Sequence, residues 1–186
     1  MGNELYSKIV SLWSHSGFTN RQKTFFFKFF NNILGINTRT SHFAVNATRD
    51  CFFCTKNTPP ISTDESFIHL FYSCPTTRNW QQQFIRKCFP EMGAIPEPEE
   101  KLLWLLGVFN ESFNVFITTA FLSFQFCVWE QKLRKNVPSF HSLYTEFLEL
   151  FRNTCSHNQQ IRLSGSELNY VLCRNIFGPR RRIQDE

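Results

Sequence analysis

The sequence predicts a mainly α-helical protein, with short helices gathered around a Cys3His zinc knuckle and an α-helical C-terminal half after it. Three observations predict this. Apolar residues recur at helical spacing through most of the 186-residue chain, and no stretch alternates convincingly as a half-buried strand does. Cys51, Cys54, His69 and Cys74 stand at the spacing of a four-ligand metal site. Phenylalanine, with 23 residues, supplies a large buried area per side chain, so a chain of this length can build its core from few contacts.

Thr19 or Asn20 can cap a helix over residues 21–34, with Gly35 placed as a left-handed C-cap. Phe26, Phe29, Phe30 and Ile33 form its apolar stripe, and Arg21 and Lys28 fall largely off it. Asn37-Thr38 opens a shorter helix carrying Arg39, His42 and Phe43. Residues 50–61 look irregular, with a loop at 56–60. Ser62-Thr-Asp-Glu65 then reads as a capping box for a short helix over 66–72 that carries His69. Pro75 suits a first helical turn and opens a helix over 76–89, with Trp80, Phe84, Ile85 and Cys88 inward.

Residues 90–100 hold three prolines and one glycine. The segment 91–100 is therefore the expected linker between a basic helical and metal-binding unit (1–90) and a helical C-terminal unit with a basic tail (101–186). Residues 102–108 are apolar and of open type. Asn110 can cap a long helix to about residue 135, apolar nearly all round and hence central. Pro138 opens another, with Phe140, Leu143, Tyr144, Phe147 and Phe151 inward and Glu146 and Glu149 outward. Ser164-Gly-Ser-Glu167 repeats the capping-box pattern before Leu168, Val171, Leu172 and Ile176.

The net charge of +5 is mild, and its distribution is more telling. Between Leu5 and Arg49 stand Lys8, Arg21, Lys23, Lys28, Arg39 and Arg49, with no acid among them. Arg180, Arg181 and Arg182 are consecutive, and acids concentrate at Glu91, Glu97, Glu99 and Glu100. A one-sided first quarter suits a polyanion, and a solvated helix face is the plain alternative. Seven cysteines, an odd count without a secretory leader, argue for reduced thiols and an intracellular setting. The charge-free stretch 113–129 contains Asn114, Thr118, Thr119, Ser123 and Gln125 and falls short of a membrane span. It reads as a buried core helix, so no membrane association is expected.

Cys51-x2-Cys54-x14-His69-x4-Cys74 is the most specific feature. Two cysteines separated by two residues can present both sulfurs from a tight turn, and a later His and Cys complete a tetrahedron. Three thiolates with one imidazole favour zinc, one ion per chain. Four protein ligands leave no open position, so the ion holds the fold. Phe52, Phe53, Leu70 and Phe71 would form the small core around it. Ordinary buried cysteines with a core histidine are the plain alternative, and the order, the spacing and Pro75 argue against it. Cys88, Cys127 and Cys173 lie on apolar helix faces as core thiols, and Cys155 with His157 makes no site. There is no glycine-rich phosphate loop and no nucleophile with evident helpers, so no catalytic residue is assigned.

From about Phe25 to Trp80 the chain resembles the zinc-binding region near the C-terminus of LINE-type (non-LTR) retrotransposon reverse transcriptases. The residues that carry the resemblance begin with a Phe-rich helix containing Lys28 and Leu34, followed by Asn37-Thr38-Arg39. Asp50 before Cys51, then Cys54, Glu65, His69-Leu70-Phe71, Cys74-Pro75 and Trp80 complete it. Residues 121–135 followed by Pro138-Ser139 are similar to the next helix in many such elements, and the likeness fades beyond about residue 150. Family members carry a polymerase upstream and often an endonuclease. The resemblance therefore implies a separated, non-catalytic C-terminal module, whether an excised piece, a truncated element or a domesticated remnant. It also implies a part in holding template RNA or target DNA, a reverse transcriptase polymerase domain as a further partner, and a nuclear or cytoplasmic ribonucleoprotein setting.

On this reading Lys23, Lys28, Arg39, Arg49 and Lys56 contact phosphates, and Phe52 or Phe53 stacks on unpaired bases. The competing expectation is a scaffold whose zinc and Phe-rich helices dock on a polymerase or another protein without touching nucleic acid.

Overall fold

Helix α1 (Asn20–Phe30) begins where Thr19 and Gln22 close a reciprocal capping box. The Gln22 amide donates to the Thr19 hydroxyl oxygen at 3.2 Å, and Gln22 Oε1 accepts from the Thr19 amide at 2.9 Å. The computed structural model describes residues 17–43, 47–90 and 114–157, together with Ser7, Ser11 and Leu105. Within them follow α2 (Asn37–Thr40), α3 (Phe52–Thr55), a π-helical turn (His69–Ser73), α4 (Pro75–Cys88), α5 (Val115–Leu133) and α6 (Phe140–Ser156). No strand occurs among the described residues; one isolated antiparallel bridge joins Asp50 to Asp64. The mainly α class is as expected.

Several local expectations are corrected. Helix α1 ends four residues before the expected Leu34. Asn32, not Gly35, takes the left-handed conformation, with φ 51°. The Ile33 amide donates to Lys28 O at 2.8 Å and the Asn32 amide to Phe29 O at 3.1 Å, which closes a Schellman motif. Asparagine tolerates this backbone region, so the chain turns before it reaches the glycine. Ile33, past the end of the helix, is exposed, and of the expected stripe Phe26 and Phe29 are buried, Phe30 is half-buried, and Phe25 is buried with them. Helix α2 is a single turn, and His42 and Phe43 lie beyond it, with Phe43 fully at the surface.

Ser62-Thr-Asp-Glu65 does not form a capping box. Ser62 donates to the Asp50 carboxylate at 2.8 Å, and it is Ser66 that accepts the His69 amide at 3.0 Å. Glu65 turns fully inward because its charge has a partner there. Lys132 Nζ sits 2.6 Å from Glu65 Oε1 and also donates to Gly35 O at 3.0 Å. The same carboxylate accepts the Asn37 amide at 2.9 Å and the Phe52 amide at 3.3 Å. One buried ion pair thus joins the starts of α2 and α3 to the end of α5.

Helix α5 is buried on every side from Phe116 to Lys132, as its apolar circumference predicts. Among the described residues its cap is Asn114, which accepts the Ile117 amide at 3.1 Å; the expected cap at Asn110 lies outside them. Lys135 turns left-handed after the helix, and Asn136 and Lys135 donate back to Gln131 and Lys132 in a second Schellman closure. Ser139 then caps α6, whose Leu143, Tyr144, Phe147 and Phe151 are buried while Glu149 is exposed and Glu146 reaches Arg134 at 3.0 Å.

Ring contacts make one continuous core. Phe25 of α1 meets Phe126 of α5 at 5.4 Å, and Phe84 of α4 stacks on Phe124 at 4.3 Å and meets Phe147 of α6 edge-on at 5.1 Å. Trp80, Phe84, Ile85 and Cys88 are all buried, as expected. The expected linker (91–100), the 164–176 helix and the Arg180–Arg182 tail lie outside the described residues. No helix of the described residues is long and apolar enough to cross a membrane.

Replacing Lys132 by Met leaves the Glu65 carboxylate buried without its counter-charge and should cost about 3 kcal/mol in denaturant-induced unfolding. The Glu65→Gln/Lys132→Met double variant should lose less than the sum of the two single changes. Strict additivity of the three measured stabilities would contradict the coupling.

Candidate metal centre

Two short chain segments deliver the four donors. Cys51 is the N-cap of α3, and Cys54 follows within that single turn. Their segment is held against the second one by the Asp50–Asp64 bridge, in which the Cys51 amide donates to Thr63 O and the Glu65 amide to Arg49 O, each at 2.8 Å. The Glu65 carboxylate then accepts the Phe52 amide and so caps α3 from inside.

His69 and Cys74 depend on the π turn. In an α-helix, residues five apart point about 140° from each other around the axis. Here the Cys74 amide donates to His69 O at 2.7 Å, a five-residue closure that returns both side chains to one face. Cys74 leaves the turn extended, at φ −62° and ψ 125°, as a residue before proline prefers, and Pro75 starts α4. Buried Thr77 fixes this junction by donating to Leu70 O at 2.7 Å and Cys74 O at 3.3 Å.

The donor atoms of Cys51, Cys54, His69 and Cys74 all lie within 4.8 Å of one another, and all four residues are buried. Cys54 Sγ is 3.6 Å from Cys74 Sγ and 3.3 Å from His69 Nε2, and Cys51 Sγ is 3.9 Å from Cys74 Sγ. Tetrahedral coordination at ordinary zinc–ligand lengths requires sulfur–sulfur separations of about 3.8 Å and sulfur–nitrogen separations of about 3.6 Å. The geometry fits a single four-coordinate ion.

Electrostatics point the same way. The Cys51 thiol donates to Cys74, and with help from the Thr77 and Thr76 amides this holds Cys74 down at about 5 despite its burial. Burial, then the charge on Cys74, pushes Cys54 up to about 11, and the nearby Glu65 adds to the effect. Cys51 is raised further by keeping its proton as donor to Cys74. One thiolate is thus favoured and two are opposed. A cation at the centre of the cluster reverses that balance and lets all three ionise. Cys88, pushed up to about 12 by burial, and Cys127, raised by the same cause, sit apart as core thiols.

The expected phosphate and stacking residues have varied environments. Phe53 is fully buried against Trp80, 5.2 Å between ring centres, so it cannot stack on a base. Its place in α3 turns it inward beside Cys54, and Phe52, half-buried, is the ring left at the surface, with Lys56 Nζ 5.8 Å from its centre. Arg49 pairs with Asp64 at 2.7 Å, and Arg39 donates to Asn32 O. Lys23 is half-buried, Lys28 and Lys56 are exposed, and none of these three lysines has an ion pair among the described residues. Sequence reasoning missed Glu65 as the support of the cluster and Lys132 as its partner. A carboxylate four residues before a histidine ligand was the visible signal for the first, and nothing local marks the second.

Elemental analysis of the reduced protein should find about one divalent ion per chain, lost in Cys54→Ser and His69→Ala and retained in Cys88→Ser. Because binding displaces thiol protons, affinity should fall as the pH is lowered. A fully folded Cys54→Ser protein that keeps its metal would refute the assignment. Compared with family models, with curated proteins and with solved structures, the chain matches none.

Proposed function

We propose that Cys51, Cys54, His69 and Cys74 hold one structural zinc ion, and that the chain is a zinc-stabilised accessory module that holds template RNA or target DNA, similar to the C-terminal part of a retrotransposon reverse transcriptase. The observation that carries the zinc assignment is the buried set of three sulfurs and one imidazole nitrogen, all within 4.8 Å of one another and with Cys51–Cys74, Cys54–Cys74 and Cys54–His69 near tetrahedral separations. With all four positions supplied by protein, such an ion has no place for a substrate or an activated water, which favours a structural role. On this reading the chain adds no catalysis of its own and serves a polymerase domain as partner.

The nucleic-acid part is supported by Lys23, Lys28 and Arg39, in a region whose sequence holds no acid from Leu5 to Arg49, and by Lys56; none of the three lysines has an ion pair among the described residues. Phosphate contacts from such residues position a strand without reading its sequence. Arg49 contributes less, because Asp64 already neutralises it. A docking scaffold is the second reading, and it is favoured by Ile33, Phe27 and Phe43, which stand exposed near the same lysines in the chain.

Cobalt substitution should give the visible d–d bands of a tetrahedral thiolate site; an octahedral spectrum would remove the zinc assignment. Binding of single-stranded RNA should weaken with salt along a log–log slope of about −2, for roughly three phosphate contacts. The Lys23→Ala/Lys28→Ala/Lys56→Ala protein should bind more weakly to all sequences alike and with a flatter slope. An unchanged slope in that variant would give the docking reading the lead. The chain alone should extend no primer on any template, and template-dependent synthesis by a contaminant-free preparation would overturn the non-catalytic assignment.

A further inference from the structure

A groove of about 440 Å³ opens between the end of α1, the single turn of α2 and the three residues before His69. Its apolar walls come from Phe29 and Phe30 of α1, Ile36 before α2, and Phe67 and Ile68. Phe29 and Phe67 pack edge-on at 4.8 Å and are buried, so they form the floor, while half-buried Phe30, in edge-on contact with Phe29 at 5.9 Å, and more exposed Ile68 form the sides. Arg39 is the one charged residue of the lining. One of its guanidinium N–H groups is taken by Asn32 O, and among the described residues the other four donors have no partner.

We infer that this groove receives an unpaired nucleobase, with the adjoining phosphate on Arg39, so that the protein prefers single strands to duplex. The inference rests on the nucleic-acid reading above and assigns it a site. An apolar side chain of a protein partner would fit the walls but not the rest of the lining. Asn32 brings an amide and Ser66 and Thr38 bring hydroxyls, and an aliphatic occupant would strip these groups of water without replacing it. A base has a flat apolar face for Phe30 and a polar edge for those groups. Glu65, the neighbour of Ser66 in the chain, is neutralised by Lys132, and no acid is among the residues that line the groove.

The groove also depends on the metal turn. Ser66, Phe67 and Ile68 lead directly into His69, and the Ser66 hydroxyl accepts the His69 amide. Thr38 of α2 donates its hydroxyl to Glu65 O at 2.9 Å. Two of the three walls are therefore tied to the segment that the ion fixes, and chelation should open the groove. On this inference the stacking ring is Phe30 of α1, where the sequence suggests Phe52 or Phe53.

The test compares the metal-loaded full chain against three probes at one salt concentration: an oligothymidine, an abasic strand of the same length, and a duplex. The oligothymidine should bind about tenfold more tightly than the abasic strand, which keeps the phosphates and lacks the bases. Ile68→Lys narrows the groove while adding a positive charge. It should abolish the difference between base-bearing and abasic strands, whereas a site made of phosphate contacts alone would bind both more tightly. Metal content and thermal unfolding of the variant confirm that it is folded, and Arg39→Ala, which removes the phosphate contact and leaves the apolar walls, should weaken the oligothymidine and the abasic strand alike while keeping the difference between them; unchanged binding of both in that variant would contradict the assignment. Equal affinity for oligothymidine and abasic strand overturns the groove assignment and leaves the phosphate-binding reading standing. No binding to any probe overturns both and turns the groove toward an apolar segment of a protein partner.

Discussion

A buried carboxylate that must be satisfied on all sides organises this protein. Glu65 is shut away from water, and an isolated charge in that position would be too costly to keep. Lys132 from the end of α5 neutralises it, and the amides of Asn37 and Phe52 take its remaining lone pairs. Each partner belongs to a different element, so satisfying one charge fixes the relative positions of α2, α3 and α5. Lys132 in turn gives a second hydrogen bond to Gly35 O and lies 4.7 Å from the centre of the Trp129 ring, which fixes its own direction. The metal cluster is built on this node, because the Phe52 amide that Glu65 caps stands between Cys51 and Cys54.

The cluster itself is a balance of geometry and charge. Its two halves come from segments that local preference would not bring together, a single helical turn and an irregular stretch with one wide turn. The Asp50–Asp64 bridge aligns them, and the π closure places His69 and Cys74 on one side. The thiols crowd closely enough for one to ionise with the protons of its neighbours facing it, and a cation completes the set. A cation held there would fix the two segments together and with them Phe71, whose ring contacts Phe25 and Phe29 of α1 at 6.3 and 5.1 Å. Metal binding there would thereby be folding energy for the aromatic core as well as for the turn.

The surface near the cluster carries the functional argument, and packing sets what remains available there. Phe53 is taken by Trp80 and Arg49 by Asp64. Among the described residues Lys23, Lys28 and Lys56 have no ion pair, and Arg39 keeps donors beyond the one given to Asn32 O. The groove beside Arg39 exists because α1 ends at an asparagine, and the chain doubles back through Ile36 before α2.

Legible in the sequence were the helical class, the four Cys and His residues that the structure gathers into one candidate metal centre, the central position of α5 and the inward faces of α4 and α6. These follow from short-range rules, namely 3.6-residue periodicity, ligand spacing and capping residues, each read within one turn or one element. The C-terminus of α1 was misread because Gly35 is the stronger punctuation in isolation, whereas Asn32 closes a Schellman turn that already satisfies the helix's last carbonyls. The Ser62–Glu65 stretch was misread for a different reason: a capping box and a buried salt bridge use the same glutamate. Which one forms depends on Lys132, 67 residues further along the chain. Tertiary structure alone decided the π turn, the fate of Phe53 and the partner of Glu65, because each is settled by the energy of burying a group beside a residue distant in sequence.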